Sequence, residues 1–256
     1  MRTLVVIPAR YASTRFPGKP LALLGGESII GRVWRRVNGA GGVDDVIVAT
    51  DDERICDHME QLAGEGSVMM TSDQHRSGTD RCGEVLERML KQGECYDIVI
   101  NVQGDEPFVE SSQIEALVAC FANPEVQIAT LKTRIHDSEE LLSPNNVKVV
   151  CDDQGRALYF SRQPLPYRRG VEPVRWLAEG DYYKHVGIYA FRAAVLPVLC
   201  KLGTAALEES EKLEQLRWLA AGYRIHVVET AHANIGIDTP ADLAAAEAFL
   251  KASTKR

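Results

Sequence analysis

Thr3-Leu-Val-Val-Ile7, followed by Pro8-Ala-Arg10-Tyr-Ala-Ser-Thr-Arg15-Phe-Pro-Gly-Lys19-Pro20, is the stretch from which the fold can be read. The first five residues form an apolar, β-branched run without alternation, the pattern of a strand covered on both faces. Pro8, Pro17, Gly18 and Pro20 then break regular structure. Between them stand three permanent cations, Arg10, Arg15 and Lys19, separated by small residues that let backbone N–H groups approach a ligand. Open α/β sheets place ligands at the carboxyl ends of their strands, and this loop suits an anion with several charges. The same cations also fit a solvated face, and their spacing matches neither of the glycine-rich phosphate-loop patterns.

Working outward, the alternation continues. Ser28 can cap a helix with Ile29, Ile30, Val33, Trp34 and Val37 at helical spacing, ended by glycines at 39–42. A buried strand at 46–49 leads to a helix carrying Ile55, Met59 and Leu62. A short strand at 68–70 is followed by a polar loop at 71–79 and a helix with Val85, Leu86, Met89 and Leu90. The strand at 98–103 is the most apolar after the first and is expected beside it. This order predicts right-handed βαβ units and an α/β fold whose central sheet is mostly parallel and flanked by helices.

The middle of the chain departs from that rhythm. Val147-Lys-Val-Val-Cys151 and Ala157-Leu-Tyr-Phe160 read as a hairpin about a turn at 152–155. A loop rich in Pro, Arg and Tyr spans 163–175, a strand is expected at 185–191, and a helix at about 208–221 carries Leu213, Leu216 and Leu219.

With 256 residues, 45% of them hydrophobic, the chain can bury a large core as one domain or as one domain with a subdomain. A net charge of −7 disfavours nucleic acid and anionic membrane as partners, which makes a local cluster of cations more pointed. No leader precedes Thr3 and no apolar run reaches membrane-span length, so a cytoplasmic protein without membrane insertion is expected, disordered only in its tail from Ala252. Six scattered cysteines without a C-x-x-C pair are expected as reduced, mostly buried thiols and give no support for zinc.

Two further loops end strands. Gly104-Asp105 follows the strand at 98–103 and leaves a carboxylate beside the cationic loop. A carboxylate there would repel phosphates unless a divalent cation lay between, which makes Asp105 a candidate Mg2+ ligand, although Gly-Asp is also an ordinary turn pair. His75-Arg-Ser-Gly-Thr-Asp-Arg81 offers small donors and acceptors suited to a base edge and, equally, a helix start with Thr79 as cap.

Pro8 to Pro20, Ser77-Gly-Thr-Asp-Arg81, Asn101-Val-Gln-Gly-Asp-Glu-Pro107, Ala157-Leu-Tyr-Phe-Ser-Arg162, His185-Val-Gly-Ile-Tyr189, Leu213-Glu-Gln-Leu-Arg217 and Gly236-Ile-Asp-Thr-Pro240, taken in order, resemble the 3-deoxy-manno-octulosonate cytidylyltransferases. Each motif is weak alone, and together they span nearly the whole chain. The resemblance implies a Rossmann-like nucleotidyltransferase fold, one domain over 1–256, with an inserted sugar-binding and dimerisation subdomain at approximately 145–195. It implies CTP and 3-deoxy-manno-octulosonate (Kdo) as substrates, CMP-Kdo and diphosphate as products, a role in lipopolysaccharide assembly, and a homodimer.

By the same resemblance, Pro8, Ala9, Arg10, Arg15, Lys19, Ser77, Gly78, Arg81 and Gln103 are expected around the nucleotide. Gln103, Arg162, His185, Tyr189, Glu214 and Gln215 are expected around the sugar acid, Arg162 for its carboxylate. Asp105 and Asp238 form the expected Mg2+ pair. Asp238 follows a short strand expected at 235–237 and precedes Thr239 as N-cap, Pro240 as first helical residue and Asp242 as third. Taken singly, His185 and Tyr189 also fit satisfied core residues, and Glu214 and Gln215 the wet side of a helix. A sialic-acid cytidylyltransferase shares the nucleotide side of this pattern. A metal-dependent glycosyltransferase fits less well, because Gln103-Gly-Asp105 lacks the first Asp of D-x-D.

Overall fold

A computed structural model describes residues 1–232 and 235–253, and in it the opening run is β1 (Thr3–Ala9). Leu4, Val5, Val6 and Ile7 are fully enclosed, as a strand covered on both faces requires. A small hairpin of β2 (Leu23–Leu24) and β3 (Glu27–Ser28) leads to α1 (Ile29–Asn38), capped by the Ser28 hydroxyl, which accepts the Gly31 N–H at 3.2 Å. Then come β4 (Asp45–Thr50), α2 (Glu53–Ala63), β5 (Val68–Met70), α3 (Gly78–Lys91), β6 (Ile98–Asn101) and α4 (Ser111–Cys120).

β1 pairs in parallel with β4 on one side and β6 on the other, and β4 pairs in parallel with β5. The chain therefore runs outward from β1 to β5 and returns to β6 across β1. That reversal opens a crevice beyond the carboxyl ends of β1 and β6, where a Rossmann-like sheet takes its ligand.

Local details differ from the sequence reading. The strand expected at 98–103 ends at Asn101, two residues early, because Val102 and Gly104 turn to bond the Val6 and Pro8 carbonyls. Leu62 and Leu90 lie on the exposed sides of their helices. The cap of α3 is Ser77 rather than Thr79: its hydroxyl accepts from the Asp80 N–H, and the Asp80 carboxylate accepts from the Ser77 N–H, a complete capping box.

The chain divides into two compact units, Met1–Val118 with Asn234–Arg256, and Ala119–Ala233. The second contains all of 145–195 and extends beyond it on both sides. It holds β7 (Ile128–Arg134), α5 (Ser138–Leu142), β8 (Lys148–Cys151), β9 (Ala157–Ser161), α6 (Trp176–Glu179), β10 (Tyr183–Arg192), α7 (Leu196–Leu199), α8 (Ala206–Glu211), α9 (Gln215–Ala220) and β11 (Ile225–Glu229). β7 is flanked by antiparallel β10 and parallel β11, and β8 and β9 form the expected hairpin. The helix expected at 208–221 is two helices. Lys212 has φ 53°, a left-handed conformation that ends α8 and turns Leu213 inward.

The first unit closes with α10 (Pro240–Ser253). Leu243 and Leu250 of this helix pack on Leu24, Ile29, Phe108 and Ile237. Residues 235–237 are not a strand; the Ile237 N–H makes a single backbone bond, to the Asp105 carbonyl at 2.9 Å. Of the tail expected to be disordered, Ala252 and Ser253 are helical and 254–256 lie outside the described residues. The six cysteines are free, but only Cys82 is buried and Cys95 is exposed. Among the described residues no helix is long and apolar enough to cross a membrane.

Candidate active site

The crevice at the carboxyl ends of β1 and β6 is a cleft of about 300 Å³. Pro8 and Ala9 reach it from the end of β1, Arg10 and Lys19 from the loop that follows, Ser77, Gly78 and Arg81 from the start of α3, and Gln103 and Asp105 from the loop after β6. Close backbone approach explains Gly104: a Cβ there would lie 2.8 Å from the Pro8 carbonyl oxygen, so a larger residue would push the two loops apart. Gly18, at φ 72°, turns the cationic loop into the short helical turn that carries Lys19.

Each cation of the loop has a partner. Arg10 donates to the His75 carbonyl. Arg15, largely exposed, pairs with Asp238 at 3.0 Å. Lys19, only 8% exposed, donates to Asp105 at 2.5 Å and to Asp238 at 3.1 Å. The two aspartates thus meet at one ammonium nitrogen, although Lys19 and Asp238 are 219 positions apart. Asp238 is held there by Ile237, fully buried and bonded to the Asp105 backbone, and by Asp242, whose carboxylate accepts from the Asp238 and Thr239 N–H groups and the Thr239 hydroxyl.

This donor set fits Mg2+. Two carboxylate oxygens within reach of one cationic atom are hard ligands, and Mg2+ usually takes one or two of these and fills its shell with phosphate oxygens and water. Among the described residues there is no group of three or more His, Cys, Asp or Glu that could hold a metal ion by itself.

Arg81 is almost fully enclosed, and its guanidinium is bound to Asp51 at 2.8 Å and to the Thr71 hydroxyl. It therefore fixes the loop before α3 while lining the cleft. Gln103 donates to Asn101 at 3.3 Å.

The remaining candidates lie in the second unit. His185 and Tyr189 stand four residues apart on β10, which on a regular strand means one face and about 13 Å. A bulge between Val186 and Tyr189 sets them opposite Lys132 and Thr130, so the face is kept while the ring centroids approach to 5.2 Å. The Thr130 hydroxyl lies 2.7 Å from the Ile188 carbonyl, to which it donates, and 2.9 Å from His185 Nε2. Its oxygen can then only accept from the ring, which puts the proton on Nε2 and leaves Nδ1 as an acceptor. The ring keeps a little solvent access, yet its burial pushes the pKa down to about 3, so the imidazole is neutral at physiological pH.

The Tyr189 hydroxyl is buried without a hydrogen-bond partner among the described residues. Burial, reinforced by the charge of Glu214, holds its pKa well above the usual phenol value. Gln215 is buried at the first position of α9. Arg162 gives hydrogen bonds to the Glu211, Pro144 and Lys212 carbonyls, so in this conformation its guanidinium ties the end of α8 to the loop before β8.

Several residues that shape the cleft are not among the expected site residues. Ala12 and Ser13 line it with no chemical signature beyond small size. Tyr11 lies with its ring 3.3 Å from the Arg54 guanidinium carbon and against Gly18, pinning the cationic loop to α2. Glu84 accepts from the Ser72 N–H at 2.9 Å, the His75 ring at 2.5 Å and Arg88, and so organises the loop whose His75 carbonyl holds Arg10. Burial alone would raise the Glu84 pKa; the bonds from Ser72 and His75, with the charge of Arg88, carry it below the ordinary carboxylate value. The complete S-x-x-D spacing at Ser77 was the one readable signal here.

Comparison with known proteins places this geometry. Residues 4–225 match the Cytidylyltransferase family model. The chain is 52% identical to the 3-deoxy-manno-octulosonate cytidylyltransferase of Phocaeicola vulgatus over 98% of both chains. It is 50% identical to that of Bacteroides thetaiotaomicron over 98% of this chain and 99% of the other. A solved structure of CMP:2-keto-3-deoxy-manno-octonic acid synthetase complexed with CTP superposes with a TM-score of 0.86 at 41% identity, covering 99% of this chain and 100% of that one. With full-length identity of this degree and the same fold, the chain belongs to the 3-deoxy-manno-octulosonate cytidylyltransferase family.

Proposed function

We propose that the protein activates Kdo by the reaction CTP + Kdo → CMP-Kdo + diphosphate. The family supports this reading, and the observation that carries it at the level of residues is the meeting of Asp105, Asp238 and Lys19 at the rim of a cleft lined by Arg10, Ser77 and Gln103. A triphosphate entering there meets permanent cations on flexible side chains and, at Ser77 and Gly78, the N-terminus of a fourteen-residue helix.

The reaction is a single in-line displacement. The anomeric 2-hydroxyl oxygen of Kdo bonds to the α-phosphorus of CTP, the bond from that phosphorus to the β-bridging oxygen breaks, and the hydroxyl proton passes to water. Arg10, Arg15 and Lys19 neutralise the charge on departing diphosphate. Ser77, Gly78 and Gln103 orient the nucleoside, and no protein nucleophile is required. Asp105 and Asp238 would hold Mg2+, which when bound supplies charge neutralisation at the phosphates and lowers the pKa of an oxygen it contacts.

For the sugar acid, His185 Nδ1 offers an acceptor, Tyr189 a hydroxyl without a partner among the described residues, and Glu214 and Gln215 further polar groups. Arg162 supplies the positive charge for the carboxylate through N–H groups beyond those given to carbonyls. The exposed apolar side chains Leu158, Tyr167 and Val174 of the second unit support a homodimer formed through that unit. The product suits lipopolysaccharide assembly, with the enzyme working in the cytoplasm.

The test is diphosphate release from CTP, Mg2+ and Kdo, with the nucleotide sugar identified by mass. Asp105→Asn and Asp238→Asn are expected to lower kcat/KM by at least about a thousandfold, the scale of losing a transition-state charge contact, with unchanged circular dichroism. Diphosphate release with sialic acid but not Kdo would overturn the substrate, and near-normal activity in both variants would overturn the metal pair.

A further inference from the structure

Lys19 has a position that the phosphate-binding role does not account for. Its backbone is fixed in a helical turn, with its N–H bonded to Phe16 and its carbonyl to Ala22. Its ammonium, on a four-carbon stem, reaches both carboxylates at once, at 2.5 and 3.1 Å. Its side chain is only 10% exposed, against 32% for Asp105 and 48% for Asp238. An ammonium so enclosed needs an anionic partner wherever it points, because a desolvated charge without one is costly.

Those are the same two oxygens that would bind a divalent cation. An ammonium and Mg2+ cannot both sit between them, since like charges at that spacing repel strongly away from bulk water. We propose that Lys19 is the built-in counter-ion of the Asp105–Asp238 pair, and that a divalent cation taken up by the pair displaces its ammonium onto the triphosphate. The inference rests on the metal-dependent CTP site proposed above and adds to it a coupling. Lys19 keeps the carboxylates together and opposes metal uptake until a polyanion offers its charge a new partner. CTP then strengthens metal binding twice, by supplying phosphate oxygens and by drawing Lys19 away. Arg15, on the exposed flank of Asp238, is a lesser competitor because water screens it.

The experiment measures Mn2+ binding to the full chain by electron paramagnetic resonance, with and without CTP, for wild type, Lys19→Met and Lys19→Arg. Without nucleotide, Lys19→Met is expected to bind Mn2+ about tenfold more tightly than wild type, within the usual range of coupling between sites. It should bind CTP more weakly, and the gain in Mn2+ affinity on adding CTP should shrink. Lys19→Arg keeps the charge and should show no tightening, and it keeps the test decisive if removing the charge disturbs folding. Equal Mn2+ affinity in wild type and Lys19→Met, or tightening in Lys19→Arg, overturns the counter-ion role while leaving the metal site standing. Mn2+ that binds neither protein even with CTP present overturns both.

Discussion

Tyr189 illustrates how a single side chain can oppose stability and serve a site. Its ring is well packed, edge-on to Trp218 with centroids 5.0 Å apart, but its hydroxyl has no hydrogen-bond partner among the described residues. A buried hydroxyl without a partner costs about 1–3 kcal/mol, so removing it should not weaken the fold. Tyr189→Phe is expected to raise the stability measured by urea unfolding by up to about 1 kcal/mol. If the hydroxyl meets the sugar acid, the same variant should raise KM for Kdo roughly tenfold, the size of one lost hydrogen bond to a charged or polar substrate group, with KM for CTP unchanged. A variant less stable than wild type with normal KM for Kdo would place Tyr189 in the core alone.

At the scale of elements, the loop between β5 and α3 depends on a residue that never lines the cleft. Glu84 projects from α3 to collect the Ser72 N–H and the His75 ring, and the His75 carbonyl in turn holds Arg10. Glu84→Gln keeps the shape but gives up the charge that strengthens these bonds. CTP KM is expected to rise about three- to tenfold with kcat little changed, and stability to fall by about 1–3 kcal/mol, on the scale of a lost bond to a charged group. A fall in kcat with unchanged CTP KM would contradict a positioning role for that loop.

The same scale shows what the sequence discloses. Elements whose information is local were legible: the apolar run of β1, the helix start at Ser28, the hairpin of β8 and β9. Readings failed where distant packing decides. Leu62 and Leu90 fit the helical period, yet they lie on the sides of their helices that stay largely exposed. The break at Lys212 needs a left-handed residue that no glycine announces. The bulge in β10 that closes His185 onto Tyr189 is likewise silent, since the four-residue spacing gives the face but not the distance. Candidate residues could be named as motif members; the contacts that tie Arg162 and Arg81 to other parts of the chain could not, because each partner is local to the fold and remote in sequence.

The whole first unit bears on the placement of one carboxylate. Asp105 and Lys19 belong to loops at the crevice, but Asp238 arrives only after the chain has completed the second unit and returned. Two things register it: the backbone bond from Ile237 to Asp105, and the apolar cluster in which Ile237 packs with Leu24, Ile29 and Phe108 beneath α10. The cluster joins the hairpin beside the cationic loop, α1 and the C-terminal helix, so its packing sets the separation of the two aspartates. Ile237→Ala is expected to cost about 2–5 kcal/mol in urea unfolding and Ile237→Val about 0.5–1.5 kcal/mol. If the cluster aims Asp238, activity should fall further than the folded fraction. Assayed where both variants remain folded, Ile237→Ala should lose about a hundredfold in kcat/KM, as a displacement near 1 Å at a reacting centre does, whereas Ile237→Val stays within a few fold. Full kcat/KM in folded Ile237→Ala would show that the polar contacts of Asp238, to Lys19, Arg15 and Asp242, and the backbone bond from residue 237 to Asp105 hold the carboxylate in place without the cluster, which then serves stability only.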